Sequence, residues 1–231
     1  MLEALKERVY RANMRLRDEG LVVLTWGNAS ALDPETRLVV IKPSGVDYAA
    51  MKPADMVVLD LDGKVVEGSC RPSSDTPTHL EFYRAFAGVF GAVHTHSAEA
   101  TAWAQACREI PCYGTTHADC FHGSVPVTRF LTEEEVASAY ELNTGKVIVE
   151  LFKGREPLAQ PGVLVAGHGP FTWGADVMKA VDNAVSLEQI ARMARLTERL
   201  RGESARAALP AYVSEKHYLR KHGPNAYYGQ K

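Results

Sequence analysis

With 231 residues and 46% hydrophobic content, the chain can bury one substantial core and is short for two independent ones, so a single domain over residues 1–231 is expected. Its 26 basic and 28 acidic residues are interspersed and leave a formal net charge of −2, which excludes an electrostatic footprint for nucleic acid or an anionic membrane. No apolar run approaches the roughly 20 residues of a membrane span, and the polar start Met1-Leu-Glu-Ala-Leu-Lys-Glu-Arg8 lacks a secretory pattern. A cytoplasmic protein is expected, with small molecules or further copies of itself as partners.

In chain order, Leu2, Leu5, Val9, Ala12 and Leu16 recur at helical spacing up to about residue 19, where Gly20 stops the pattern. Four short β-branched runs then read as strands: Leu21-Val-Val-Leu24, Leu38-Val-Val-Ile41, Met56-Val-Val-Leu59 and Lys64-Val-Val-Glu67. Asp62-Gly63 between the last two signals a hairpin. Helices are expected over 77–86, 98–107 and 133–140, the last opened by a capping box in which Thr132 precedes Glu135 by three. Val147-Ile-Val149 has strand-like residues after a helix and stays open between the two. From about 175 to 200, Val177, Val181, Ala184, Leu187, Ala191 and Ala194 describe a long helix against a sheet. Strands flanked by helices on both sides predict an α/β fold, a three-layer α/β/α sandwich whose central sheet is mixed and partly antiparallel.

Gly91-Ala-Val-His94-Thr-His96-Ser97 carries the clearest chemical signal. On a strand, side chains two apart share a face, so His94 and His96 can hold one divalent metal. Asp75, in the loop Arg71-Pro-Ser-Ser-Asp-Thr-Pro77, and His168, where the run Val163-Leu-Val-Ala meets glycines, are the candidate further ligands. Three imidazoles and a carboxylate suit zinc, or manganese at a similar site, with room for a substrate oxygen. The four cysteines contain no Cys-x-x-Cys pair and read as buried small hydrophobes, and Cys112, His117, Cys120 and His122 fit no zinc spacing. His79, His117, His122 and His222 read as helix or loop histidines, and Trp26, Trp103 and Trp173 as core or interface anchors.

Three further segments are built for an anion: Thr25-Trp-Gly-Asn28-Ala-Ser30, Lys42-Pro-Ser44-Gly45 and Pro72-Ser73-Ser74. Glycines and small hydroxyl residues let backbone N–H groups approach oxyanions, and Lys42 adds a point charge. A phosphorylated substrate fits, although no Walker or dinucleotide glycine motif is present.

Taken together, Leu24-Thr-Trp-Gly-Asn28, Ile41-Lys-Pro-Ser-Gly-Val-Asp-Tyr48, Pro72-Ser-Ser-Asp-Thr-Pro-Thr-His79, Val93-His-Thr-His96, Gly114-Thr-Thr-His-Ala-Asp119, His168-Gly-Pro-Phe171 and the tail Lys216-His-Tyr-Leu-Arg-Lys-His222 with Tyr227-Tyr-Gly-Gln230 resemble the L-ribulose-5-phosphate 4-epimerases of the class II aldolase/adducin-head superfamily. The resemblance runs in order along nearly the whole chain. It implies a class II aldolase-like fold with Asp75, His94, His96 and His168 as ligands of one divalent metal per subunit, zinc foremost, with manganese or a similar ion compatible. Asn28, Lys42, Ser44, Gly45, Ser73 and Ser74 match the phosphate pocket. Asp119 and Tyr228 match the proton-transfer pair, Tyr228 entering from a neighbouring subunit of a cyclic homotetramer; Thr115, His217 and Arg220 also fall in matching segments.

The implied reaction interconverts L-ribulose 5-phosphate and D-xylulose 5-phosphate, a step of pentose use such as arabinose catabolism. The C4 proton of such a ketose is not adjacent to the carbonyl, so epimerisation by simple deprotonation is excluded. Cleaving and re-forming C3–C4 instead leaves charge over C2 and C3 that a divalent cation can offset. Two alternatives stay open: a superfamily aldolase of the L-fuculose-phosphate type, in which the carboxylate near the metal is typically glutamate where this chain has Asp75, and a non-catalytic module like the adducin heads.

Overall fold

The computed structural model describes residues 1–201 and 207–228, which leaves Gly229 and Gln230 of the tail motif outside the described residues. Helix α1 (Glu3–Asp18) forms as its periodicity predicts: Val9, Ala12 and Leu16 are fully buried, Glu3 sits in the first turn and Arg15 and Arg17 in the last, each favourable to the helix dipole. Strands β1 (Asn28–Leu32), β2 (Val39–Ile41), β3 (Val57–Leu59) and β4 (Val65–Glu67) follow, with a short 3-10 turn at Pro53–Asp55. Gly63 has φ +84° in the turn joining β3 to β4, which is the expected hairpin. Helix α2 is Thr76–Ala85, β5 Gly91–His94, α3 Ala98–Gln105, α4 Thr115–Ala118 and α5 Glu133–Leu151. Strands β6 (Gly162–Val165) and β7 (Gly169–Gly174), then helices α6 (Val177–Arg201) and α7 (Ala211–His222), complete the chain order.

Among the described residues seven strands form one sheet in the order β4-β3-β2-β1-β5-β7-β6, antiparallel at every named pairing, and only an isolated bridge from Val127 to Leu164 runs parallel. Antiparallel pairing thus goes further than the partly antiparallel sheet expected. One face packs α1 and α6 through Val9, Leu16, Ala29, Ala31, Val93 and Val181. The other packs α2 and α5 through Leu32, Phe82, Phe86, Ile148, Phe171 and Trp173. Helix α3 joins α6 on the first face through Trp103, Leu164 and Ile190. The result is the three-layer α/β/α sandwich, and strand alternation decides which residues look toward α2 and α5.

Several local expectations are corrected. Leu21–Leu24 is a connection and not a strand: Leu21 and Val22 plug the core, while Val23 and Leu24 are exposed and Leu24 has φ +55°. The central place beside β2 belongs to Asn28–Leu32, whose small side chains fit between two helical layers, so packing overrides β propensity. The capping box is present, Thr132 Oγ1 accepting from the Glu135 N–H at 3.2 Å; the helix breaks at Ala139, close to its expected end at 140, then resumes to Leu151, so Val147-Ile-Val149 is helical. Gly145 lets α5 lie close against α2, since a Cβ there would lie 2.8 Å from the Glu81 side chain. The cysteines are all free, yet only Cys112 is buried and Cys107 is exposed. Trp103 and Trp173 are core residues, whereas Trp26 is about half exposed.

Candidate metal centre and anion pocket

His94 ends β5, where Asn28 of β1 and Phe171 of β7 are its cross-strand neighbours. Its ring stacks on Phe171 with centroids 4.1 Å apart, and Nδ1 meets the Pro170 carbonyl at 2.9 Å. A carbonyl can only accept, so Nδ1 carries the proton and Nε2 keeps its lone pair for a metal. His96 lies just beyond the strand, so its approach to His94 comes from the chain's exit path and not from strand alternation alone. His168 sits in the β6–β7 turn, which Gly167 makes at φ +72°. The ring centroids of His94, His96 and His168 are 4.7–5.0 Å apart, and their donor nitrogens all lie within 4.8 Å of one another.

Burial favours the neutral form of His96 and His168, which is the ligating form. Burial, then the neighbouring histidines, push His96 down and His168 down to about 4. Asp75 stands at the N-cap position of α2 without a side-chain cap bond and lines the same cleft, outside the cluster of mutually close donor atoms, and Asn28 Nδ2 donates to its Oδ2 at 2.6 Å. Burial alone would raise the Asp75 carboxyl, but His94, His79 and the Asn28 amide outweigh it and hold it below the ordinary carboxylate range. Asn28 Oδ1 is buried without a partner, an orphan acceptor at the edge of the site. Three imidazoles with a carboxylate in the same cleft fit a divalent cation of the zinc or manganese kind. Among the described residues no other cluster brings ligating atoms this close, so Cys112, His117, Cys120 and His122 do not form a rival site.

The histidines open into a cleft of about 580 Å³ that Asn28, Lys42, Ser44, Gly45, Ser73, Ser74 and Asp75 also line. Two loops are stapled to build it: the Ser73 N–H donates to the Lys42 carbonyl at 3.0 Å and the Ser44 N–H to the Arg71 carbonyl at 2.9 Å. Lys42 is 2% exposed, and its ammonium reaches only the Thr25 and Pro43 carbonyls, at 3.4 and 3.3 Å. Burial lowers its pKa, and the more distant Asp47 and Asp75 only partly oppose that. A buried cation with no carboxylate in contact is suited to receive an anion.

The remaining expected residues gather elsewhere. Asp119, at the end of α4, accepts from Arg220 Nε and Nη2 at 3.0 and 2.6 Å and lies 3.1 Å from His217 Nδ1. Burial would raise the Asp119 carboxyl, but Arg220, His217 and Lys221 hold it low. The Tyr228 ring lies 4.7 Å from both the Arg220 guanidinium and the Lys221 ammonium, and it is more than half exposed. Asp119 and Tyr228 therefore share one cluster built on α7, and neither they nor Thr115, His217 and Arg220 line the cleft of their own chain.

Two cleft residues escaped the sequence reading. Tyr140 and Glu141 reach the cleft because α5 breaks at Ala139 (φ −156°, ψ 76°). Tyr140 Oη stands 3.4 Å from His168 Nδ1. Nothing in the helical periodicity of 133–151 announces that break. Of the histidines read as structural, His79 bonds Ser30 Oγ at 2.7 Å through Nδ1 within the core, and His122 and His222 contact Glu215 and the Asp119 carbonyl.

Residues 7–195 match the model of the Class II Aldolase and Adducin N-terminal domain. Among solved structures, an L-fuculose 1-phosphate aldolase is similar at 26% identity with a TM-score of 0.78, over 94% of this chain and 95% of that one. The l-fuculose-1-phosphate aldolase of Thermus thermophilus is 25% identical with a TM-score of 0.65, over 88% and 98% of the two chains. YgbL of Klebsiella pneumoniae shares the fold at 24% identity and a TM-score of 0.73, over 94% and 99%.

Proposed function

This chain belongs to the Class II Aldolase and Adducin N-terminal domain family, and on that footing we propose that it is an L-ribulose-5-phosphate 4-epimerase. The observation that carries the reading is the adjacency, in one cleft, of the His94, His96, His168 cluster with Asp75 and the unpaired Lys42 ammonium. His94, His96, His168 and Asp75 would hold a divalent cation, which when bound would supply Lewis acidity to the charge that develops on bond cleavage.

The chain's own groups do the rest. Lys42, with the loops bearing Asn28, Ser44, Gly45, Ser73 and Ser74, clamps the 5-phosphate. As C3–C4 breaks, the C4 hydroxyl gives up its proton and becomes the aldehyde of glycolaldehyde phosphate. With the phosphate held, that aldehyde turns about C4–C5, and C3 attacks its other face while the oxygen regains a proton, so C4 is inverted. Each face needs its own proton acceptor and donor, the roles of Asp119 and Tyr228. Their position outside their own chain's cleft supports a shared site, with Tyr228 reaching the cleft of a neighbour in a cyclic homotetramer.

The aldolase reading is the second one, favoured by the likeness to L-fuculose 1-phosphate aldolase over 94% of the chain. Incubation with L-ribulose 5-phosphate separates them. Formation of D-xylulose 5-phosphate without free aldehyde is the expected result, and release of aldehyde without epimer would establish the lyase. A purified protein with no stoichiometric metal would instead indicate a non-catalytic module.

A further inference from the structure

Lys42 has no carboxylate to hold it, yet it is fixed. Its ammonium lies over the ring of Tyr48, 4.8 Å from the centroid. Tyr48 is 2% exposed, and its single O–H is shared between the carbonyls of Trp26 and Gly27, at 3.2 and 3.0 Å. One side chain therefore grips both walls of the anion pocket: the ring bears on the Lys42 loop and the hydroxyl on the Gly27 turn. That turn is itself close-fitted, because Gly27 has φ +76° and a Cβ there would stand 2.9 Å from the His94 carbonyl. Motion of the Gly27 turn would carry Asn28, and with it the amide that holds Asp75.

We infer that Tyr48 is a positioning residue of the phosphate pocket, its ring holding the Lys42 ammonium and its hydroxyl tying the Gly27 turn so that both loops close on one phosphomonoester. This rests on the phosphorylated-substrate reading of the same cleft. An aromatic face suits the task where a carboxylate would not: it attracts the cation without neutralising it, so the charge stays available to the incoming anion. Burial already acts against the charged ammonium, and the ring offsets part of that cost.

Two variants of the metal-loaded protein separate the contributions, with inorganic phosphate as probe. Tyr48→Phe keeps the ring and removes the tie to Trp26 and Gly27; KM for L-ribulose 5-phosphate and the inhibition constant of inorganic phosphate should both rise about fivefold, the scale of one lost hydrogen bond. Tyr48→Leu also removes the ring, and both constants should rise about thirtyfold or more, with kcat falling less than KM rises. Bound metal, assayed by elemental analysis, should stay stoichiometric in both, and Tyr48→Phe should unfold as a single transition. A residue with a merely structural role would lower stability and the active fraction and leave the phosphate constant unmoved in the folded fraction, which would overturn the inference. Phosphate constants equal to those of the parent in Tyr48→Phe and Tyr48→Leu would overturn it too. If the parent protein itself binds neither phosphate nor the sugar phosphate, the phosphorylated-substrate reading fails first and this inference falls with it.

Discussion

Asn28 and Asp75 meet beside the three-histidine cluster, the Asn28 amide donating to Asp75 Oδ2 across 2.6 Å, so that the start of β1 and the start of α2 are joined by one charge-assisted hydrogen bond. The loss of such a bond costs about 1.5–3 kcal/mol. Asn28→Ala should therefore lower the unfolding free energy of the metal-free protein by that amount, as read by urea titration. The variant should also bind metal more weakly, because Asp75 loses the partner that orients it.

His96 is the most exposed of the three clustered histidines, and its replacement disturbs the fold least. His96→Asn should lose metal and lower turnover by orders of magnitude while circular dichroism stays unchanged. Full activity of this variant after chelator treatment and dialysis would place the metal elsewhere.

Lys42→Met should act mainly on KM for the phosphorylated substrate, by about 1.5–3 kcal/mol in apparent binding. Burial holds the Lys42 ammonium below the ordinary lysine range, so substrate affinity should fade at a lower alkaline pH than an exposed lysine would allow. That alkaline limb of kcat/KM should be absent in the Met variant. A collapsed kcat with unchanged KM would move Lys42 from binding into the chemistry.

Stability should fall in mild acid for a reason outside the cleft. His117 is buried, Nε2 donates to the Gly123 carbonyl at 2.8 Å, and Nδ1 has no partner, so protonation would bury an unpaired N–H. Burial is the larger influence and pushes His117 down to about 4 from the ordinary 6.5. Between those values the unfolded chain binds the extra proton and the folded one does not, so stability is complete above pH 6.5 and declines as pH falls toward 4. The contribution is on the order of 3 kcal/mol, at about 1.4 kcal/mol for each tenfold loss of proton affinity on folding. His117→Gln, which can still donate to Gly123, should flatten the dependence of urea-unfolding free energy on pH in this window by that amount.

A shared active site can be tested by mixing. Tyr228→Phe and His96→Asn subunits should each be inactive alone and should regain part of the activity when co-assembled, because some interfaces then pair an intact metal centre with an intact tyrosine. Verified mixed oligomers without activity would exclude the cross-subunit role. A fully active monomer by light scattering would do the same.

The legible parts of this chain are those decided within a few residues. Helix α1, strands β2 to β4, the Asp62-Gly63 hairpin and the Thr132/Glu135 cap each follow from local periodicity or turn chemistry, and the structure keeps them. The His94/His96 pair and the three anion loops were equally visible, because ligand spacing and glycine-hydroxyl composition are local signals.

Long-range pairing decided the rest. The strand beside β2 is Asn28–Leu32, buried along its whole length, while in Leu21–Leu24 only Leu21 and Val22 enter the core. His168 reaches His94 only because β7 pairs with β5 and the β6–β7 turn overhangs the same sheet edge. Tyr140 and Glu141 enter the cleft through a helix break that propensity does not encode, and Asp119 lies with α7 through contacts about a hundred residues away along the chain. The sequence by itself determined which residues carry donors suited to a metal or an anion, since donor type and backbone freedom are properties of single residues and short loops. Which of them converge in one cleft, and which lie outside it, was decided by the tertiary structure, because strand order and helix docking minimise the free energy of the whole core and not of any segment.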